Sequence, residues 1–290
     1  MDPHHLRTFV TVVRLASFSE AARALGYTQS AVSQHIAALE NDLGRPLLGR
    51  RPVVPTATGE RLLEHAGSLL LRLDAARADL ARFAAAPRET LTLAASPLAL
   101  HPRTLAALPA AGVTLRTLAR DEVPVAVATG AADLGLVDGL AAPSDPLRLP
   151  DVAPLTALRV GEEPVAVVLP AWHPLAGRPG LRLADLVDAR WLDAPDAGVP
   201  LDRLRSAHGG PSGRGFRTAL RHEGIDSRLL GALAAAGHGL TLLPVSLAAT
   251  IAGAVAVPLS APRLVHRVEL LHTGSEPFGP AAELAGRLLP

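Results

Sequence analysis

The 290-residue chain has no cysteine and no lysine; each of its 28 basic residues is an arginine. Without thiols there are no disulfides, no thiolate nucleophile and no cysteine-ligated zinc, although this says little about compartment. A strong charge of either sign is also missing, the net charge being +1. Residues 1–88 hold 11 Arg against 8 acids and the remainder 17 against 19, so only the N-terminal part is net basic. That excess is too small for non-specific electrostatics to carry DNA binding; affinity would need placed contacts and several copies of the domain. No apolar run reaches membrane-spanning length, and MDPHHLRTFVTVVRL is broken by Arg7 and Arg14, so a cytoplasmic protein away from membranes is expected. The eleven histidines form no tight ligand cluster. G-x-S-x-G and glycine-rich phosphate loops are missing as well. A metal, a cofactor and catalysis are therefore not expected.

What is there begins with SFSEAARALGYTQSAVSQHIAALENDLG, residues 17–44. Leu15, Phe18, Ala21, Ala22 and Leu25 predict a short helix on a core, with Ser19 as N-cap ahead of Glu20 and Gly26 as its stop. Thr28 is a second N-cap, and Val32, Ile36, Leu39 and Leu43 recur at helical spacing after it. Two short helices around a tight turn are a helix-turn-helix. The face opposite Val32 and Ile36 carries Ser30, Ser33, Gln34, Ala37 and Asn41, with Gln29 on the flank. Uncharged and polar, it can enter a major groove without repelling phosphates, and a Gln amide suits an adenine edge. Periodicity alone equally allows an ordinary helical hairpin with a solvated face.

The identities decide between the two. TQSAVSQHIAALENDLGRPLLGR, with SFSEAARALG before it and PTATGERLLEHA after it, resembles the N-terminal signature of LysR-type transcriptional regulators. Departures are few: Leu48 stands where an aromatic is commoner, Pro55 where Leu is usual, and Gln34 where a basic residue often sits. Candidate base contacts are Gln29, Ser30, Ser33 and Gln34, whereas His35 lies nearer the core side and suits packing or a phosphate.

Asp2 as N-cap and Pro3 at the first helical position predict an earlier helix with a Leu6, Phe9, Val10, Val13 stripe. Residues 45–55 read as a two-stranded wing, whose Arg50 and Arg51 would reach phosphates or a minor groove. Beyond it, Leu62, Ala66, Leu69, Leu73, Ala76, Leu80 and Phe83 alternate steps of four and three, the period of a coiled-coil seam. This predicts dimerisation through Leu62, Ala66, Leu69, Leu73 and Leu80, and the linker helix of LysR-type regulators pairs subunits at this position. AAAPRE, 84–89, reads as a hinge.

The remainder alternates strand-like segments, PVAVVLP at 164–170 among them, with helix-like ones, an α/β pattern that departs from one unit, builds another and returns. GAADLGLV, EEPVAVVLPAWHPLAG, LADLVDARWL and ALAAAGHGLTLLP resemble the effector-binding domain of the same family, which is similar to periplasmic binding proteins. Its first helix, within HPRTLAALPAAG, has room for only about two turns. The fold class expected is therefore multidomain, α plus α/β. A winged helix-turn-helix at 1–58 is followed by a linker and dimerisation helix with hinge at 59–88. A two-lobed α/β effector-binding domain occupies 89–290, lobe I being 89–160 and 259–290 and lobe II 161–258.

Candidate effector contacts are Ser96, Pro97 and Leu98 after the first strand, where N–H groups and a hydroxyl can hold a carboxylate. Ser96 equally reads as a simple N-cap. On the facing lobe, Arg221 and His222 are candidates, Arg221 reading equally as a surface salt bridge. The resemblance implies a homodimer, further a tetramer, that binds double-stranded operator DNA. It also implies a small-molecule effector in the inter-lobe cleft and contact with RNA polymerase. A constitutive DNA-binding repressor whose sensor no longer takes a ligand is the alternative.

Overall fold

Asp2 Oδ1 accepts the backbone N–H of His4 at 2.7 Å and opens α1 (Pro3–Leu15), with Pro3 in the first turn, where an N–H is expendable. The second cap differs from the expected one. Ser17, extended at φ −156° and ψ 126°, accepts the N–H of Glu20 and starts α2 (Phe18–Leu25), which places Ser19 inside the first turn. Gly26, left-handed at φ +72°, ends α2, a conformation that L side chains rarely adopt. Thr28 Oγ1 accepts the N–H of Ala31 at 3.1 Å and opens α3 (Gln29–Leu43). A two-stranded antiparallel wing follows, β1 (Leu48–Arg50) and β2 (Val53–Pro55), with Gly49 opposite Val54. Glu40 ties it to α3 by accepting the N–H of Leu47 at 2.7 Å.

The long α4 (Ala57–Phe83) starts where Gly59 meets the wing, because a Cβ at 59 would lie 2.2 Å from the Leu47 carbonyl oxygen. Its first turns complete the core formed by Leu6, Phe9, Val32, Ile36 and Leu39, to which Ala66 and Leu70 contribute fully buried or nearly buried side chains. Arg7 on α1 makes a two-pronged pair with Asp74 on α4, at 2.8 and 2.9 Å. These contacts explain why the first of the chain's two units, Met1–Ala78 with Asp151–Ala153, takes in most of α4, the second being Asp79–Pro150 with Pro154–Pro290. The computed structural model describes residues 1–83, 89–143, 145–152, 155–208, 215–273, 277 and 279–289. The hinge expected at 84–89 lies outside the described residues except for Glu89.

In the second unit, β3 (Leu91–Ala95), β4 (Val113–Thr117) and β5 (Leu134–Ala141) pair in parallel, joined through α5 (Pro102–Ala107) and α6 (Glu122–Ala128). The six residues of α5 match the shortness expected for this helix. The strand expected at 164–170 is the end of a much longer one, β6 (Leu155–Pro170). After it come β7 (Leu181–Arg182), β8 (Arg190–Asp193), α7 (Leu201–His208), β9 (Arg217–Arg221) and α8 (Ser227–Ala235). The chain then forms β10 (Thr241–Pro244), α9 (Val245–Ala248), β11 (Ala254–Ala261), β12 (Val265–Thr273) and α10 (Pro280–Leu288).

The main sheet has the order β4-β3-β5-β12-β6-β11-β7, with β10 also on β6. Only its β4-β3-β5 side and the β11-β7 pair are parallel; β12, β6, β10 and β11 pair antiparallel. β6 spans both lobes. Its first half pairs with β12, and its second half, buried on both faces, pairs with β10 and β11. Lobe I closes over Leu93, Leu134, Leu136, Leu270 and Leu284, lobe II over Val167, Leu169, Trp191, Phe216 and Leu242.

Candidate DNA-binding face and inter-lobe cavity

α1 and α2 hold α3 by its buried Val32, Ile36 and Leu39, which leaves Gln29, Ser30, Ser33 and Gln34 exposed together on its outer side. Ser33 Oγ donates to the Gln29 carbonyl at 3.0 Å, one turn back, and keeps its lone pairs for an outside donor. Ser19 Oγ donates to Gln29 Oε1 at 3.1 Å, a contact that the periodicity did not reveal. His35 is half-buried, as its position toward the core suggested. It stacks on His5 at 4.9 Å, meets Tyr27 edge-on at 5.1 Å, and its Nδ1 lies 3.1 Å from Thr8 Oγ1. Burial first, then the charge of His5, lowers its pKa from the ordinary histidine value. Arg51 is exposed in the turn between β1 and β2. Arg50 ends β1, and its side chain lies outside the described ones.

Along α4 the apolar seam divides. Ala66 is fully buried in the core and Leu62 partly so, Leu73 is half-buried, and Leu69, Leu80 and Phe83 are exposed, Leu80 to 72% and Phe83 to 95%.

The second unit does not gather the expected effector residues into one place. Ser96, fully buried, donates to the Leu136 carbonyl at 3.3 Å and accepts the N–H of Asp138 at 3.0 Å. It makes no side-chain cap of its own. Pro97 is half-buried, and Leu98 is seated in the lobe II cluster of Ala166, Val168, Leu192 and Leu230. Arg221 pairs with Asp193 at 2.6 Å and Glu223 at 3.3 Å; the hydrogen bond to Glu223, then the charge of Asp193, raises its pKa. His222 is half-buried.

The open space lies elsewhere. A cavity of about 350 Å³ separates β5 and residues 145–149 on one side from α7 on the other. None of the five expected effector residues lines it, though Ser96 stands directly behind its floor through Asp138. That floor is a buried ionic cluster: Arg120 Nη2 reaches Asp138 at 3.2 Å and the Gly198 carbonyl at 3.4 Å, and His266 Nε2 lies 3.1 Å from Asp138. Burial opposes the Asp138 charge most strongly, but Arg120, then His266 and Ser96, outweigh it and hold the carboxyl below the usual carboxylate range. Its wall is pinned from β12, where Glu269 accepts the N–H of Leu147 at 3.1 Å and Arg267 donates to the Asp145 carbonyl. Sequence reasoning missed Arg120, Asp138 and His266. The signal was a lone Asp in the otherwise apolar LGLVDGLA and, in VHRVELLH, four ionisable residues, His266, Arg267, Glu269 and His272, on one buried strand.

Residues 3–60 match the family described as bacterial regulatory helix-turn-helix protein, lysR family, and residues 84–289 match the LysR substrate binding domain. The chain belongs to the LysR family. The probable hydrogen peroxide-inducible genes activator of Mycobacterium avium is 36% identical over 194 residues, 62% of this chain and 59% of that relative. The small neutral protease regulatory protein of Streptomyces coelicolor is 31% identical over 246 residues, 79% of this chain and 67% of the relative. The LysR-family chain thus aligns with less than two thirds of the first of these relatives. Full-length BenM is 26% identical, with 99% of this chain and 95% of that one covered at a TM-score of 0.55. CbnR in complex with its target DNA, 22% identical at a TM-score of 0.54, shares the fold. Among the described residues no helix is long and apolar enough to cross a membrane.

Proposed function

We propose that this LysR-family chain is a DNA-binding transcriptional regulator that senses a small molecule in the inter-lobe cavity. The observation that carries the reading is α3: three buried residues anchor it, and four polar, uncharged residues stand exposed on the opposite side. Gln29, Ser30, Ser33 and Gln34 face base edges, and Arg51 on the wing serves the backbone or the minor groove. The exposed half of the α4 seam pairs two copies, and pairs of dimers would place four such helices on DNA. Two relatives named as an activator and a regulatory protein support the regulatory role. RNA polymerase is the onward partner, the cytoplasm the place, and no catalysis is assigned.

Ligand sensing is linkage: an effector shifts the arrangement of subunits by its differential affinity for two states. The cavity supports this step, because residues of both lobes line it. The burial of Leu98 in lobe II supports the rival reading, a constitutive DNA-binding repressor, since it closes the side where Ser96 to Leu98 would have met a ligand. Gel shift and footprinting on the DNA upstream of its own gene test the first claim; specific protection is expected, and equal affinity for random DNA would reject it. Thermal shift against a metabolite panel separates sensor from constitutive repressor, since only the sensor gains stability.

A further inference from the structure

We propose that residues 96–101 form a clasp that fastens the two lobes of the second unit to each other, so that the lobes part only when Leu98 withdraws from lobe II and His101 from Glu163. The residues themselves belong to lobe I. Ser96, buried, is bonded to β5 through the Leu136 carbonyl and the Asp138 N–H. A single 3₁₀ turn, Pro97–Ala99, follows, and both its ends are held: the N–H of Ala99 donates to the Ser96 carbonyl at 3.0 Å, and Thr104 Oγ1 donates to the Ala99 carbonyl at 3.2 Å. Successive side chains of such a turn diverge by about 120°. Ala99 goes into the lobe I core with Leu93 and Leu134, while Leu98, 6% exposed, goes into lobe II among Ala166, Val168, Leu192 and Leu230. Neighbouring residues of one held turn are thus divided between two cores.

A second catch lies where β6 changes partners. β6 leaves β12 at Pro164, opposite Val265, and meets β10 at Val165, opposite Pro244. Glu163 stands just before that exchange. Lobe II takes up its carboxylate, which accepts the Ser246 N–H at 2.9 Å and the Ser246 hydroxyl at 2.8 Å. From lobe I, His101 caps α5 by accepting the N–H of Arg103 on Nδ1 at 3.2 Å, so the proton of the neutral ring sits on Nε2, 3.8 Å from Glu163 Oε1. Leu98 alone would be ordinary packing. An apolar catch and a polar one three residues apart, both reaching over the same boundary, make a fastening. Arg120 of lobe I also reaches the Gly198 carbonyl of lobe II, at 3.4 Å, a single long hydrogen bond. The clasp holds whether or not the cavity takes a ligand, and while shut it allows one lobe arrangement. A second arrangement requires its release.

The test uses the full-length protein and its lack of native cysteine. Ala282→Cys on α10 of lobe I and Ala232→Cys on α8 of lobe II, both at exposed positions, carry nitroxide labels. Labelled chains are diluted into unlabelled protein, so that pulsed electron spin resonance reads distances within one chain. The wild type is expected to give one narrow distance. Leu98→Ala with His101→Asn should add a second, longer one, because Asn still caps α5 but stops short of Glu163. Leu204→Ala on α7 removes an equally buried leucine from the other lobe II cluster, and should lower the melting temperature while keeping the single distance. A wild-type distribution in the folded double variant, or equal spreading in Leu204→Ala, would overturn the clasp. Two populations already present in the wild type would do the same. Should Leu98→Ala not fold, His101→Asn with Glu163→Gln, both at half-buried positions, takes its place under the same criterion.

Discussion

Ser19 on α2 donates from Oγ to Gln29 Oε1 at 3.1 Å, so the first residue of α3 reaches the outer face with its carboxamide already oriented. A free Gln amide both donates to and accepts from adenine, the pairing expected from the sequence. With its oxygen engaged by Ser19, the amide nitrogen is the free end, and donors suit N7 and O6 of guanine or O4 of thymine. Ser19→Ala should release the carboxamide, cost about 1 kcal/mol of specific binding and relax preference at one base pair. Gln29→Ala should cost about 1–3 kcal/mol there and barely change non-specific binding. Competition gel shifts with operators altered one pair at a time check both; equal losses on operator and random DNA would sink the assignment.

The split seam of α4 makes a second pair of expectations. Leu80 is 72% exposed, whereas Ala66 is fully buried against the core of the N-terminal unit. Burying one Leu is worth about 1.5–3 kcal/mol, and a twofold interface uses the residue twice. Leu80→Glu should therefore raise the dimer dissociation constant by roughly a hundredfold or more without lowering helix content. Ala66→Glu should instead unfold the N-terminal unit. Sedimentation velocity across a concentration series, together with circular dichroism, distinguishes the two outcomes. An unchanged dimer in Leu80→Glu would place the interface elsewhere.

What could be read in advance follows the range of the chemistry. Asp2, Gly26 and Thr28 act on their own helix ends, and each stands where the local pattern put it. The cap of α2 was two residues off because Ser17 and Ser19 differ only in backbone conformation, which composition does not encode. β6 was read as its second half because its first half alternates between half-buried and exposed positions, and only pairing with β12 makes one strand of it. Arg221 was open between a ligand and a salt bridge, and the parallel β8–β9 register, which sets Asp193 opposite it, supplies the partner. Asp138 and His266 stand 128 residues apart and meet because β5 pairs with β12. No local signal carries that meeting.

His35 gives the N-terminal unit a pH dependence of definite sign. Its folded pKa is lowered by burial and by His5, so between that lowered value and the ordinary histidine value of about 6.5 the unfolded chain binds a proton that the folded chain refuses. Stability from this group is fully present above the ordinary value and falls as pH drops through the window. His35→Gln keeps a polar partner for Thr8 and removes the titration. Urea unfolding at pH 7.5 and pH 5.5 should therefore show a smaller pH effect in the variant than in the wild type. Identical slopes would remove His35 from the account.

Arg120 and Asp138 set the stability of the cavity floor. Asp138 is 2% exposed and ionised, with Arg120 at 3.2 Å as its principal charged partner. Removing one member of a buried pair leaves the other desolvated and uncompensated, at a cost of about 3–5 kcal/mol. Arg120→Met should incur most of that loss, because the thioether fills the space but donates nothing to Asp138 or to the Gly198 carbonyl. Adding Asp138→Leu in the same chain removes the stranded charge, and much of the stability should return; the residual deficit measures the Gly198 contact and the packing around His266. The double variant would also show whether the ionic floor serves folding or sensing. If stability recovers while the response to a stabilising metabolite does not, the charge is retained for the ligand. If Arg120→Met melts at the wild-type temperature, the pair is not the buried, neutralised floor described for it.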